Sequence, residues 1–391
     1  MKRPGLSLLA SLLLLAAPLA AQVVSSQFIY EKAPYPSCHA ATIVETAQGG
    51  LVASWFGGTR ERNPDVCIYV ARMEGGRWTE PVLVADGVQP DGKRLPTWNP
   101  VLFQPKDGPL FLFYKVGPHP SSWWGLYRTS TDGGRTWGEA VRLPDGVLGP
   151  IKNKPVELPD GTWLSPSSRE GGPEGWCLVF ERSRDKGRTW ELSEPVTSKL
   201  GLGAIQPSVL FSGKRLAAVA RTRNGVLGLT SSEDNGATWK PVIPLGVPCP
   251  NSGTDAVTLA DGRQLLVYNH SAPTFERPNK GVRYPIDIAL SDEGTTWRHV
   301  LVLEDTPRGA GYAYPSVIQS RDGLVHVVYT WDRKRIRHVV VDPSKLEDQE
   351  ARAKLAREAA ALKVYAEDLV EPMPKAKPDA EKSAPKPDSK N

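Results

Sequence analysis

The chain has 391 residues, of which 40% are apolar and 23% charged, a balance that suits a globular protein with a buried core. Its formal charge of +5 falls to about +3 once Lys2 and Arg3 leave with a leader and the ten basic and ten acidic residues from Pro343 onward cancel, too little to imply a nucleic-acid partner. Gly and Pro at 36 each, and Trp at 12, point to an all-β chain with many turns and aromatic wedges.

Residues 1–21 read as a signal peptide. Lys2 and Arg3 precede the apolar run "LSLLASLLLLAAPLA", which is short for a membrane span and ends in small residues. No cysteine follows the expected cleavage near Ala21, so a lipid anchor is not expected. The protein should be secreted or periplasmic, with no membrane span. The extended stretch "SSQFIYE" comes next. Cys38, Cys67, Cys177 and Cys249 then allow three disulfide pairings, and Cys38–Cys67 is conceivable because both fall in the first repeat. No CxxC or HxxxH spacing occurs, so neither a metal site nor a cofactor is expected.

The body of the chain repeats. "STDGGRTW" (130–137), "SRDKGRTW" (183–190) and "SEDNGATW" (232–239) are near copies. "LSDEGTTW" (290–297) is degenerate, and "ARMEGGRW" is a remnant ending at Trp78. The tryptophans stand at 78, 137, 190, 239 and 297, a period near 50 that marks a propeller or solenoid. The Asp accepts backbone hydrogen bonds inside its own turn, the Gly takes a left-handed conformation, and the Trp wedges into apolar space. These aspartates are read as architectural rather than catalytic.

Around each box the strands can be counted. "NPVLFQ", "GPLFLFYKV", "GLYRTS" and "EAVRL" make one four-stranded blade. The last repeat ("YPSVIQ", "LVHVVYT", "IRHVVV") has only three strands, and "SSQFIYE" can supply the fourth and close the ring. The expected fold is an all-β, six-bladed β-propeller over 22–342. A C-terminal helix is expected over 343–370, from a Ser344/Glu347 capping-box signal and the Glu350–Lys354 spacing. A disordered Pro/Lys/Ala-rich tail is expected over 371–391.

The S-x-D-x-G-x-T-W box resembles the Asp box (BNR repeat) of the sialidase, or neuraminidase, superfamily, over about residues 35–342. The resemblance implies a β-propeller, a glycan as partner, and a carboxylate-binding site built from three arginines. Arg221 in "AAVAR" resembles the second arginine, and Arg283 before "IDIALSDEG" resembles the third. Asp65, ahead of "VCIYVAR", resembles the acid/base aspartate. Tyr314, eight residues before Asp322-Gly323, resembles the tyrosine nucleophile. The chain departs from the family twice. The Phe-Arg-Ile-Pro motif of the first arginine is missing, and "SCHAATI" with His39 stands in its place. The glutamate that activates the tyrosine corresponds to Gln206, an amide that cannot take a phenol proton.

Residues that open the innermost strands should converge on one funnel. By their shared apolar pattern these are His39, Asn99, Lys154, Gln206, Asp255 and Tyr314, all polar, which is better explained by a pocket than by six separate strand caps. Loops over the same mouth add Arg60, Glu61, Arg62, Glu170, Arg223 and Arg283. Three functions fit. One is an exo-acting sialidase-type glycoside hydrolase with Tyr314 as nucleophile, Asp65 as acid/base and Glu61 or Glu170 as a substitute base. A second is a rhamnosidase or polysaccharide lyase acting on rhamnose–uronate linkages, with His39 as the proton-transfer group. A third is a non-catalytic glycan-binding propeller with Trp98, Trp123 and Trp124 stacking on sugars. A monomer is expected.

Overall fold

The computed structural model describes residues 22–274 and 280–346. The expected signal peptide, C-terminal helix and tail lie outside these residues, apart from the helix's opening turn at Pro343–Lys345. That turn is 3-10, and its N-cap is Asp342, whose side chain accepts the Ser344 N–H.

Six antiparallel sheets follow one another along the chain. Blade 1 is built on Ser37–Glu45, Leu51–Gly58 and Cys67–Glu74, and both Arg77–Trp78 and Val82–Ala85 pair with its third strand. Blade 2 spans Thr97–Phe103 to Val141–Arg142, and blade 3 spans Val156–Glu157 to Glu191–Leu192. Blade 4 runs from Ala204–Ser212 to Ile243–Pro248, and blade 5 from Asp255–Thr258 to Arg298–Glu304. Blade 6 contains Tyr312–Gln319, Val325–Trp331 and Arg335–Val341. Its outer strand is Val23–Phe28, which pairs Ser25 with Val340 and Gln27 with His338. The first strand of the chain therefore completes the last blade, as the three-stranded final repeat predicts.

Innermost strands are tied in succession by side chains that accept the next strand's N–H groups. Thr42 Oγ1 accepts from Leu102 at 3.2 Å, Ser208 Oγ from Ala256 at 3.0 Å and Asp255 Oδ2 from Val317 at 2.9 Å. Second strands of almost unbroken apolar character, such as Leu110–Val116 and Gln264–Tyr268, are buried along their whole length, so each blade packs on both faces.

The boxes behave as clasps between third and fourth strands. Ser130 Oγ donates to Asp132 Oδ1 at 2.8 Å and accepts the Gly134 N–H at 2.8 Å. Asp132 also accepts the N–H groups of Arg135 and Thr136 and the Thr136 hydroxyl. The same pattern recurs around Asp185 and Asp234. In the degenerate copy Leu290 cannot supply a hydroxyl, and Ser291 takes over by accepting the Gly294 N–H at 2.8 Å. Trp239 leaves its box in blade 4 and stacks on Phe180 of blade 3, with 3.7 Å between centroids, so one clasp also seals the seam between blades. All four cysteines are free, buried thiols. The conceivable Cys38–Cys67 disulfide is not formed, because both lie opposite Gly57 on strands that flank it rather than facing each other.

Candidate active site

Four innermost strands carry the same backbone irregularity. Ala40, Asn99, Gln206 and Tyr314 have φ of 56, 37, 57 and 54°, a region few L-residues occupy. At each, the pairing with the second strand breaks, between His39 and Thr42, Trp98 and Val101, Ile205 and Ser208, and Ala313 and Ser316. A bulge of this kind re-aims a side chain. Asn99, Gln206 and Tyr314 each precede proline, which disfavours helical backbone before it, so the geometry is held by its surroundings and marks a candidate functional site. The repeat position equivalent to Tyr314 in blade 1 is therefore Ala40. This corrects the expectation that His39 occupies it.

Tyr314 is 9% exposed and is ringed by cations. Its phenol oxygen accepts from Arg221 Nη1 at 2.7 Å and from Gln206 Nε2 at 3.3 Å. Arg221 in turn donates to Gln206 Oε1 at 3.3 Å and, through Nε, to Asn251 Oδ1 at 2.8 Å. The guanidinium carbons of Arg221 and Arg283 lie 5.8 and 5.7 Å from the ring centroid, and Lys152 Nζ lies at 5.9 Å. Buried Lys152 donates to Asn153 Oδ1 and to the Thr254 and Pro315 carbonyls, and burial pushes its ammonium down to about 7. Burial likewise lowers Arg283 to about 10, still cationic at neutral pH, and its Nε is buried with no hydrogen-bond partner among the described residues.

His39 packs on the same ring with centroids 4.2 Å apart, and its Nδ1 lies 3.0 Å from Thr330 Oγ1. Burial, followed by the charges of Arg333, Arg283, Arg221 and Lys152, holds its titration well below the ordinary range, so the imidazole is neutral at pH 7. Arg333 belongs to this cluster and was not singled out in the sequence. It sits in the turn after Val325–Trp331, where Asp332 and Arg333 are both left-handed (φ 51 and 58°). Its Nη1 reaches Glu61 Oε2 at 2.7 Å, across 272 residues of chain. A cavity of about 400 Å³ is lined by Ser37, Arg60, Glu61, Arg62 and Arg333. Glu170, just past the strand Trp163–Arg169, is raised by burial, which outweighs the opposing charges of Arg221 and Arg223. Arg223 stacks on Trp176 at 3.8 Å, and Arg221 lies 5.2 Å from the same ring.

The fold does not bring every candidate into this cluster. Asp65 is exposed and turns back on its own loop, where Oδ2 accepts the Thr59 N–H at 2.7 Å and hydroxyl at 2.6 Å. Burial raises this carboxyl, but the Thr59 hydrogen bonds and further lowering contacts together outweigh it and hold it below the ordinary value. Asp255 is fully buried and ion-paired to Lys154 at 2.9 Å. It also accepts Ser208 Oγ and the Val317 N–H, so this pair staples the inner strands together. Asn99 shares the left-handed backbone in blade 2. Trp98 and Trp123 are buried against one another and offer no face to a sugar, which corrects the stacking expectation for both. Trp124 is engaged with Arg142 at 5.2 Å. Sequence spacing gave no sign of metal ligands, yet blade 5 gathers His270, Asp287 and His299 within 4.8 Å of one another.

The BNR repeat-like domain profile matches residues 49–327, most of the ring just described. The chain belongs to that BNR repeat-like family. No curated protein matches it. Solved structures share the fold of this BNR propeller. A protein of unknown function from Dyadobacter fermentans superposes with a TM-score of 0.67 at 20% identity, over 82% of this chain and 98% of that one. The intramolecular trans-sialidase from Ruminococcus gnavus gives 0.66 at 14% identity, over 84% and 99%. A Hadza microbial sialidase gives 0.64 at 16% identity, over 82% and 68%. At such identities the likeness is one of fold. Among the described residues no helix is long and apolar enough to cross a membrane.

Proposed function

We propose that this protein is an exo-acting glycoside hydrolase of sialidase type that removes a terminal acidic sugar from a glycan. One observation carries the reading. Two guanidiniums, Arg221 and Arg283, flank Tyr314, and Arg333 lies near enough for its charge to bear on His39 and Arg283 while it pairs with Glu61. Arg283 keeps a buried donor without an acceptor among the described residues. An uncompensated set of planar forks suits a substrate carboxylate.

In this mechanism the sugar carboxylate takes the arginines, and the Tyr314 oxygen forms a bond to the anomeric carbon as the bond to the leaving oxygen breaks. Glu170, whose carboxyl is raised by burial so that its protonated form is favoured, gives its proton to that leaving oxygen. This role passes to it from Asp65, whose carboxylate is engaged by Thr59. The phenol proton is lost to solvent as the oxygen attacks, helped by the Arg221 guanidinium that donates to that oxygen. Gln206 cannot take it, and His39 is held neutral by burial and the surrounding cations. Water then cleaves the glycosyl-tyrosine bond. We also propose that the protein is exported. The leader-like run ends at Ala21, and the ring's outer strand begins at Val23, so cleavage there would leave the ring whole.

A second reading has its own support. His39 beside Tyr314, with an amide at 206 where a carboxylate base would stand, also suits a uronate lyase. There the arginines would neutralise the uronate carboxylate and stabilise the enolate charge. The test is incubation with sialosides and with uronic-acid polysaccharides, followed by mass spectrometry and ultraviolet absorbance. A released acidic monosaccharide that adds water across the cleaved bond supports the hydrolase. An unsaturated, ultraviolet-absorbing product selects the lyase, and retention without turnover overturns both.

A further inference from the structure

The cluster in blade 5 lies outside the mechanism. His270 follows the strand Gln264–Tyr268, Asp287 lies in Ile286–Ser291 and His299 in Arg298–Glu304, so three neighbouring strands each contribute one side chain. His299 Nε2 is 2.8 Å and His270 Nδ1 is 3.6 Å from the same Asp287 Oδ2. The two imidazole planes are inclined at 78° with centroids 5.1 Å apart. Tyr268 Oη stands 2.7 Å from His270 Nδ1.

Two of these side chains are incompletely satisfied. The Asp287 carboxylate is 1% exposed, and its Oδ1 has no hydrogen-bond partner among the described residues. Both ring nitrogens of His299 are buried in the same condition, Nε2 included, because its approach to Asp287 lacks hydrogen-bond geometry. Buried polar atoms without partners are costly, and here three of them fall on two touching side chains. A cation held by both carboxylate oxygens and by Nε2 would satisfy the orphaned Oδ1 and the imidazole nitrogen at once.

We propose that His270, Asp287 and His299 form a divalent transition-metal site, with Zn²⁺ as the ion that fits best. Zinc takes imidazole nitrogen and carboxylate oxygen at about 2.0–2.2 Å, which sets two ligand atoms roughly 3–3.5 Å apart. The 2.8 and 3.6 Å separations bracket that span. Two imidazoles disfavour Ca²⁺ and Mg²⁺, which take oxygen. Tyr268 Oη, or water, would complete the coordination. The ion would join the two ends of the segment that carries Arg283, since His270 opens that segment and Asp287 follows it. The site is a brace for the sheet and takes no part in proton transfer at Tyr314.

The experiment uses the full chain, stripped with a chelator and dialysed against Zn²⁺, with bound metal counted by elemental mass spectrometry and melting followed in parallel. The expected result is one Zn²⁺ per chain and a raised melting temperature, with affinity reduced in Asp287→Asn and in His299→Gln by more than the about tenfold that loss of a mere outer-shell partner costs. Because Asp287 is buried, His270→Gln, at a partly exposed position, provides the same comparison if the other variants do not fold. Substituting Co²⁺ separates this site from the four thiols, because nitrogen and oxygen ligands give no thiolate charge-transfer band. Failure of the wild type to bind Zn²⁺ stoichiometrically, undiminished binding in the folded variants, or a thiolate band with Co²⁺ would each overturn the proposal.

Discussion

At the scale of single residues, the environment of one phenol decides the chemistry. Tyr314 is held by a guanidinium and an amide, and Gln206 bridges the two. Gln206→Glu would put a carboxylate within hydrogen-bond reach of both Arg221 and the phenol. That carboxylate would draw Arg221 away from an acidic substrate while offering the phenol a base. Steady-state kinetics should show KM raised about tenfold, the equivalent of roughly 1.4 kcal/mol, with kcat held or increased. A fall in kcat of two orders of magnitude would sink the hydrolase reading and favour the lyase. Arg333→Ala should raise KM by a similar factor for an acidic substrate and leave a neutral analogue unaffected, and equal effects on both would refute its role in carboxylate binding. These residues were unevenly legible. Asn99, Gln206 and Tyr314 share a following proline, so their equivalence could be read directly. Ala40 lacks that mark, and the alignment slipped by one to His39. Arg333, between Asp332 and Lys334, looks like any charged surface turn, and only its tertiary approach to Glu61 reveals it.

At the scale of elements, the box works as a local hydrogen-bond device with a buried pivot. The Ser130 hydroxyl is both donor and acceptor, and the residue is only 3% exposed. Ser130→Ala should lower stability by about 1–2 kcal/mol, because it leaves the buried Gly134 N–H unpaired. The readout is the shift in thermal or denaturant midpoint, with kcat and KM unchanged, since the box lies at the end of the blade opposite the strand openings. Altered kinetics at intact stability would return the box to the catalytic question. Asp185 is pushed down to about 2, first by the Thr189 hydroxyl and then by the Thr189 N–H. Its stabilisation is therefore present above the ordinary carboxylate range and lost as pH falls toward about 2. The clasps were readable because each is complete within eight residues. The Asp255–Lys154 staple is not legible locally, because its partners are 101 residues apart and nothing local separates a buried ion pair from a binding pair.

At the scale of the whole molecule, the ring is sealed in blade 6, where two histidines meet. His326 Nδ1 lies 3.0 Å from His338 Nε2, and Trp78 of blade 1 donates to His338 Nδ1 at 3.2 Å. Burial first, and then His326, lowers His338 to about 3, and burial also lowers His326. The unfolded chain binds these protons near pH 6.5, so the native state gains stability from the pair above that value. This contribution should drain away as pH falls from about 6.5 toward 3. Melting temperature should decline through that window, and less steeply in His338→Gln. A profile that is flat from pH 6.5 to 4.5 in the wild type would contradict this.

The pairing of Val23–Phe28 with Arg335–Val341 also orders events in time. The Val23–Phe28 strand has no partner until more than 300 later residues exist, because Arg335–Val341 lies that far along the chain. Until then blade 6 is missing altogether and the early strand is an unpaired edge, open to mispairing. The entropy of so distant a contact grows only slowly with the intervening length, whereas the rate of reaching it suffers more. Blades 1 to 5 can each pair locally as they appear. Closure of the ring should be the slow final step of folding, so agents that capture exposed strands would find this protein vulnerable at its beginning and only until its end arrives.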